Sequence, residues 1–139
     1  MRNELGIDGL GDLVDLPIVA TLATYRRDGT VLLSPVWHEW RDGGFNVVIE
    51  AGDVKARHVE RDPRASLALY ESDPPYRGLE LRSKARLDGK GAFDAQRRIA
   101  IRYLGQEMGE AYAVEPSGSE VILRLEPGDL RTWDFADGF

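Results

Sequence analysis

Short apolar segments separated by turn residues run along most of this chain, and this spacing limits its fold more than any other feature. Asp28-Gly29 separates the apolar segments 18–24 and 30–40, which predicts a β-hairpin. Alternation within a later segment predicts that Leu79 and Leu81 face inward. Further strands are predicted at 45–51, 65–70, 78–87, 120–125 and 130–135. The sequence therefore predicts a mainly β fold, a barrel of six or seven antiparallel strands without exposed edges.

Three segments are predicted to be helical. Residues 4–15 combine leucines and isoleucine with three glycines, which is typical of a weak amphipathic helix. A short helix is predicted from Asp53, as its N-terminal cap, to about Arg61. The strongest helical pattern covers 92–105 and places Arg98 on the solvated side. Its apolar stripe consists of Ala92, Ala95, Ile99 and Tyr103.

Composition excludes several classes of function. The 139 residues are the length of one domain, 1–139. With 24 acidic and 18 basic residues the formal charge is −6, so a general electrostatic attraction to nucleic acid is absent. The lack of cysteine excludes disulfides, zinc–thiolate sites and iron–sulfur clusters, and no metal site is expected. No apolar stretch is long enough for a membrane span, and the N-terminus lacks a secretory signal, so a cytoplasmic location is expected.

Five short motifs occur in one order across residues 19–69. They are Ala20-Thr21-Leu22-Ala23-Thr24, Asp28-Gly29, Ser34-Pro35-Val36-Trp37, Lys55-Ala56-Arg57 and Arg61-Asp62-Pro63-Arg64. In these motifs the chain resembles the pyridoxamine 5'-phosphate oxidase-like split β-barrels, and within them the oxidoreductases that use FMN or coenzyme F(420). The resemblance implies an FMN-binding-like antiparallel split barrel with short flanking helices. It also implies a homodimer with the cofactor in a groove built by both chains and a small-molecule substrate.

Lys55 and Arg57 are the leading candidates for binding the cofactor phosphate. Both lie in the first turns of the helix that begins near Asp53, where unpaired amides and the helix dipole attract anions. Arg supplies a planar fork for phosphate oxygens and Lys a mobile charge. The alternative is a solvated helix end. The resemblance includes His58 in this site, although relatives usually have Asn there.

The resemblance assigns further cofactor contacts to three parts of the sequence. Ser34, Pro35, Val36 and Trp37 match the strand that runs along the cofactor ring, and Thr21 matches a position beneath it. Trp133 matches an aromatic position that reaches the cofactor of the partner subunit. For Trp37 and Trp133 the alternative is packing in the core or in the dimer interface.

The function implied by the resemblance is hydride transfer from F(420) to a small unsaturated organic molecule. In such enzymes the cofactor supplies the chemistry, and the sequence identifies no catalytic side chain. The alternatives are an FMN-dependent oxidoreductase and a carrier or sensor that binds the cofactor without turnover. Pyridoxamine-phosphate oxidation itself is disfavoured, since segment 130–134 lacks the Arg-x-His substrate pattern and no histidine follows His58.

Overall fold

The computed structural model describes residues 2–3 and 5–138. Antiparallel strands contain more of these residues than the α-helices do, and three α-helices flank the sheet. The strands are β1 (Arg2–Asn3), β2 (Ala20–Tyr25), β3 (Val31–Val36), β4 (Glu39–Arg41), β5 (Gly44–Glu50), β6 (Arg64–Tyr70), β7 (Gly78–Asp88), β8 (Glu120–Leu125) and β9 (Asp129–Asp134). The helices are α1 (Val54–Arg61), α2 (Ala92–Leu104) and α3 (Gln106–Tyr112).

The sheet splits along its longest strand, β7. Its strand order is β3-β2-β6-β7-β8-β5-β4, and β9 pairs with both β7 and β1. One edge of β7 pairs with β6, whereas its other edge pairs with β9 over Gly78–Arg82 and with β8 over Ala85–Asp88. The two halves diverge from this strand and curl around the core. The predicted mainly β, antiparallel split barrel is confirmed. The expected lack of exposed edges is not, because the strand order ends at β3 and β4.

The core lies on the concave side of the sheet, where alternate residues of each strand are buried. Leu79 and Leu81 of β7 are both buried, as the alternation predicts. Leu22 of β2 and Phe45 of β5 are also fully buried. Because the side chains of a strand alternate between its faces, the neighbouring residues lie on the convex face or under a helix.

The segment 30–40 forms two strands rather than the single predicted one. β3 pairs with β2, but β4 pairs with β5, so the chain changes sheet partner at Trp37 and His38. At this point α2 satisfies the backbone: the amide of His38 donates to the hydroxyl of Tyr103 at 3.2 Å, and Arg102 donates to the carbonyl of His38. These side-chain bonds replace the strand ladder, which explains the break.

The helices differ from the sequence prediction in two places. Segment 4–15 was predicted as one helix, but among its described residues the chain forms two short 3-10 turns, Ile7–Leu10 and Leu13–Asp15. Gly11, which has a φ of 65°, separates them in a conformation that helices exclude. The sequence pattern also missed α3, which follows α2 directly after Gly105.

Arg98 does not lie on a purely solvated face. Its guanidinium donates to both carboxylate oxygens of Glu39, at 3.0 and 2.8 Å, and Asn46 donates to the same carboxylate at 2.8 Å. The Glu39 side chain is only 8% exposed, so Arg98 neutralises a nearly buried charge. This ion pair fixes α2 against β4 and β5.

Among the described residues, no helix is long and apolar enough to cross a membrane.

Candidate functional site

A cleft of 410 Å³ opens between one end of β3, the strand β5 and all three helices. Its volume falls within the range typical of small-molecule sites. The lining residues are Pro35, Val36, Trp37, Val47, Val48, Ile49, Glu50, Asp53, Lys55, Gln96, Ile99 and Tyr112. Four of the residues predicted from the sequence, Pro35, Val36, Trp37 and Lys55, are therefore brought together here.

One end of the cleft is charged and lies at the start of α1. Asp53 caps the helix as predicted, because its carboxylate accepts the backbone N–H of Lys55 at 2.8 Å. The Lys55 ammonium also pairs with this carboxylate at 3.1 Å and is 17% exposed. Arg57 lies on the same helix but bonds the carbonyl of Gly52 at 2.8 Å, which leaves its other N–H donors to solvent.

Glu50 completes the charged end from the last position of β5. Its carboxylate accepts hydrogen bonds from the hydroxyls of Ser117 and Ser119, which precede β8. These bonds hold the loop after α3 against the rim of the cleft. The lining here carries the carboxylates of Glu50 and Asp53 and the ammonium of Lys55, so this end is mixed in charge. The predicted phosphate ligand Arg57 lies outside the lining.

The other end of the cleft is aromatic. The Trp37 indole stacks on Tyr103 of α2, with ring centroids 4.9 Å apart and planes 9° from parallel. Tyr112 of α3 lies 5.5 Å from the indole at an angle of 50°. The Tyr103 hydroxyl donates to the carbonyl of Ile18 at 2.7 Å, and burial raises the pKa of this phenol. Trp37 thus packs against the protein and lines the cleft at once.

The remaining predicted residues lie outside the lining of the cleft. His58 lies on the buried face of α1, where its Nδ1 is 3.0 Å from the hydroxyl of Thr24, and burial lowers its pKa. Ser34 is half-buried on β3 opposite Leu22. Thr21 lies on β2 opposite Pro35, on the convex face of the sheet.

Trp133 also lies away from the cleft, on β9. Its indole covers Gly78, where an added Cβ would come within 2.3 Å of the ring. The Arg131 guanidinium lies 4.6 Å above the same ring. Only glycine at position 78 permits this packing. Trp133 therefore shares the convex sheet face with Thr21.

Three polar or aromatic residues of the cleft were missed by the sequence analysis, namely Glu50, Gln96 and Tyr112. Glu50 is the last residue of an apolar strand, and the sequence pattern did not distinguish it from other exposed acidic residues. Gln96 borders the apolar stripe of α2 and lies one turn before Ile99, which was the available signal. Tyr112 belongs to α3, a helix that the pattern did not predict. Among the described residues, no cluster of His, Asp and Glu is suited to hold a metal ion.

The split barrel and its cleft define the class of protein, and comparison with known families agrees. The family model for pyridoxamine 5'-phosphate oxidase matches residues 10–134, so the chain belongs to this family. No curated protein matches the sequence. Membership of this family supports a flavin-type oxidoreductase or cofactor-binding protein.

Solved structures share the fold over most of the chain. A conserved hypothetical protein of Mycobacterium tuberculosis is 25% identical with a TM-score of 0.76, covering 95% of this chain and 86% of that protein. An F(420) reductase is 23% identical with a TM-score of 0.72, covering 86% and 93% respectively. An FAD- and haem-binding protein of Mycobacterium smegmatis is 18% identical with a TM-score of 0.69, covering 95% and 72%.

Proposed function

We propose that this protein is an oxidoreductase that binds coenzyme F(420) in the cleft and transfers a hydride to a small unsaturated organic substrate. The observation that carries the proposal is the cleft itself, which joins the helix start that carries Lys55 to an aromatic wall within one 410 Å³ space. Family membership supports a flavin-type cofactor. The similarity to an F(420) reductase is the reason for placing F(420) before FMN.

The residues of the charged end fit an anionic group of the cofactor. Lys55 presents an ammonium to the cleft. Arg57 lies on the same helix outside the cleft lining, and among the described residues its one side-chain hydrogen bond is to the carbonyl of Gly52, which leaves further N–H donors exposed to solvent. An incoming phosphate would share Lys55 with Asp53, which holds the ammonium in place until the anion arrives. Bidentate recognition by Arg57 would add orientation.

The second part of the proposal is that two copies of the chain assemble, with the convex face of the sheet as the interface. Strand register places Thr21 beside Ala68, and Ala23 beside Ser66, so the centre of this face carries small side chains. Its edge strand exposes Leu33, which is 65% accessible. Small side chains at the centre of this convex face and an apolar edge suit a second copy, which would also enclose the cofactor groove.

A carrier or sensor without turnover is the second candidate. It is favoured by the two carboxylates of the cleft, which are both engaged: Asp53 with Lys55, and Glu50 with Ser117. Neither is free to deliver a proton at the aromatic end. The discriminating measurement is the rate at which candidate acceptors reoxidise the bound, reduced cofactor.

Equilibrium titration with F(420), FMN and FAD, followed by ligand fluorescence, tests the proposal directly. We expect micromolar or tighter binding of F(420), and Lys55→Ala or Arg57→Ala should each weaken it about 10- to 100-fold, since a hydrogen bond to a charged group contributes ~1.5–3 kcal/mol. Arg97→Ala is the matched control, because Arg97 lies on α2 in an exposed pair with Glu110. Failure of all three cofactors to bind would refute the proposal.

Light scattering tests the dimer. At low micromolar concentration we expect twice the 15.5 kDa chain mass, since obligate interfaces usually bury more than ~2,000 Å². Leu33→Glu should shift the protein toward the monomer by placing a charge on the apolar edge. A monomeric wild type would overturn this part of the proposal.

A further inference from the structure

A second cavity, of 330 Å³, lies between the start of α2 and the strands β5, β7 and β8, and it shares no lining residue with the cleft. Five of its lining side chains are cationic, namely Arg41, Arg86, Lys90, Arg98 and Arg124. Two are acidic, Asp42 and Asp88. Because the whole chain carries a formal charge of −6, this cavity is a local reversal of the charge of the protein.

Arg124 places a nearly buried positive charge in the lining of this cavity. Its side chain is 12% exposed, and it donates to three neutral oxygens: the carbonyls of Arg41 and Asp42, each at 2.7 Å, and the Oδ1 of Asn46 at 3.0 Å. Its Nε is buried without a hydrogen-bond partner among the described residues, and the Glu126 carboxylate lies 3.7 Å from it. An anion in the cavity would therefore stabilise a charge that the protein compensates only weakly.

The fold holds this guanidinium in place. At Gly44 an added Cβ would lie 2.7 Å from the Cζ of Arg124, so any larger residue at this position would displace it. Strand pairing also sets Arg86 directly opposite Arg124. Like charges in this arrangement repel each other. Glu126 accepts from Arg86 at 2.8 Å, so one half-exposed carboxylate is shared by both guanidinium groups.

Two exposed cations of the lining remain available to a ligand. The ammonium of Lys90 has no hydrogen bond or ion pair within the described part of the chain, although its backbone N–H donates to Asp88. The Arg41 side chain is 51% exposed, and the carboxylate that pairs with it, that of Asp42, lies 4.0 Å away. Arg98, by contrast, already donates to both oxygens of Glu39 and is not counted among the ligand-binding groups.

We infer that this cavity binds the phosphate group of a small phosphate monoester, at a site separate from the cofactor cleft. A phosphate dianion has three acceptor oxygens, which suits donors that come from three parts of the fold: Arg41 of β4, Arg86 of β7 and Lys90 before α2. A carboxylate presents its acceptors in one plane. The volume is at the lower end of the range for small-molecule sites and leaves room for an organic group beside the phosphate.

Isothermal titration of the full-length protein with glycerol 3-phosphate, at low and constant ionic strength, tests the site. We expect a dissociation constant below about 1 mM, and Arg41→Ala and Lys90→Ala should each raise it roughly two- to fivefold, as for exposed ion pairs. Asp42→Asn should lower it by removing a repelling carboxylate, and asparagine tolerates the φ of 53° at this position. Lys84→Ala is the matched control, because Lys84 is an exposed lysine outside this lining.

Further ligands identify what the cavity recognises. Glycerol should not bind, and succinate should bind more weakly than glycerol 3-phosphate; tighter binding of succinate would overturn the choice of phosphate. Inorganic phosphate should depend on the same residues, and its affinity relative to the monoester distinguishes a free ion from a phosphorylated molecule as the occupant.

The site is distinguished from the cofactor cleft by variants in each. Lys55→Ala should leave glycerol 3-phosphate binding unchanged, and loss of binding in this variant would assign the phosphate to the cleft and overturn the inference. Equal affinity of the wild type and the Arg41→Ala/Lys90→Ala double variant would overturn it as well. No binding at concentrations up to about 10 mM would have the same consequence.

Discussion

The imidazole of His38 makes the stability of the fold depend on pH. The side chain is 0% exposed, packs edge-on against Phe45 at 5.5 Å, and has an Nε2 without a partner among the described residues. Its pKa is lowered from 6.5 to about 4, mainly by burial and secondly by the nearby Arg102 guanidinium. The folded protein therefore holds this histidine neutral.

The sign of the effect follows from the direction of this shift. Below pH 6.5 the unfolded chain binds a proton at His38 that the folded chain refuses, so the free energy of unfolding falls as the pH falls. At ~1.36 kcal/mol per pKa unit, the difference between 6.5 and about 4 has a ceiling of about 3 kcal/mol. Between pH 7.5 and 5 the expected loss is about 2 kcal/mol.

Urea unfolding of the cofactor-free protein at constant ionic strength measures this loss, followed by tryptophan fluorescence at each pH. His38→Leu should unfold more easily at pH 7.5 but should lose the His38 contribution to the pH dependence between 7.5 and 5, about 2 kcal/mol. His58→Asn is measured beside it, because burial also lowers the pKa of His58 and this side chain contributes in the same direction. An unchanged pH dependence in His38→Leu would refute the reasoning.

Two further predictions concern buried polar contacts. Arg98→Ala should lower the free energy of unfolding by about 2 kcal/mol, which is less than for a fully buried pair because the Arg98 side chain is 38% exposed. The control Arg97→Ala should lower it by less than about 1 kcal/mol. Equal effects of the two variants in urea unfolding would show that the Glu39 carboxylate does not need Arg98. Thr24→Val should destabilise the fold by about 1–2 kcal/mol by leaving the buried Nδ1 of His58 unbonded, and Thr24→Ser should restore most of this, as measured by thermal unfolding.

The strand pattern could be predicted from the sequence because each strand carries its own local signal. The alternation that predicts Leu79 and Leu81 facing inward depends only on neighbouring residues, as does the Asp53 cap of α1. The break at His38 could not be predicted in this way. It depends on bonds from Tyr103 and Arg102, about sixty-five positions later in the chain.

The cleft was partly predictable for the same reason. The place of Lys55 in the cleft could be predicted from the helix start, and that of Trp37 from the motif that carries the resemblance. Gln96 and Tyr112 could not be predicted, because they enter the cleft only through the packing of α2 and α3. The roles of Ser34 and the other residues outside the lining stay predictions until a cofactor complex is measured.

The two ends of the cleft come from separate parts of the chain. Lys55 follows β5, whereas Tyr112 depends on how closely α3 approaches α2. At Gly109 an added Cβ would lie 2.4 Å from the Cα of Ile101, so only glycine allows this approach. The approach brings Tyr112 to 5.5 Å from Trp37. Changes in α3 can therefore reshape the aromatic end of the cleft while the helix start that carries Lys55 is left intact.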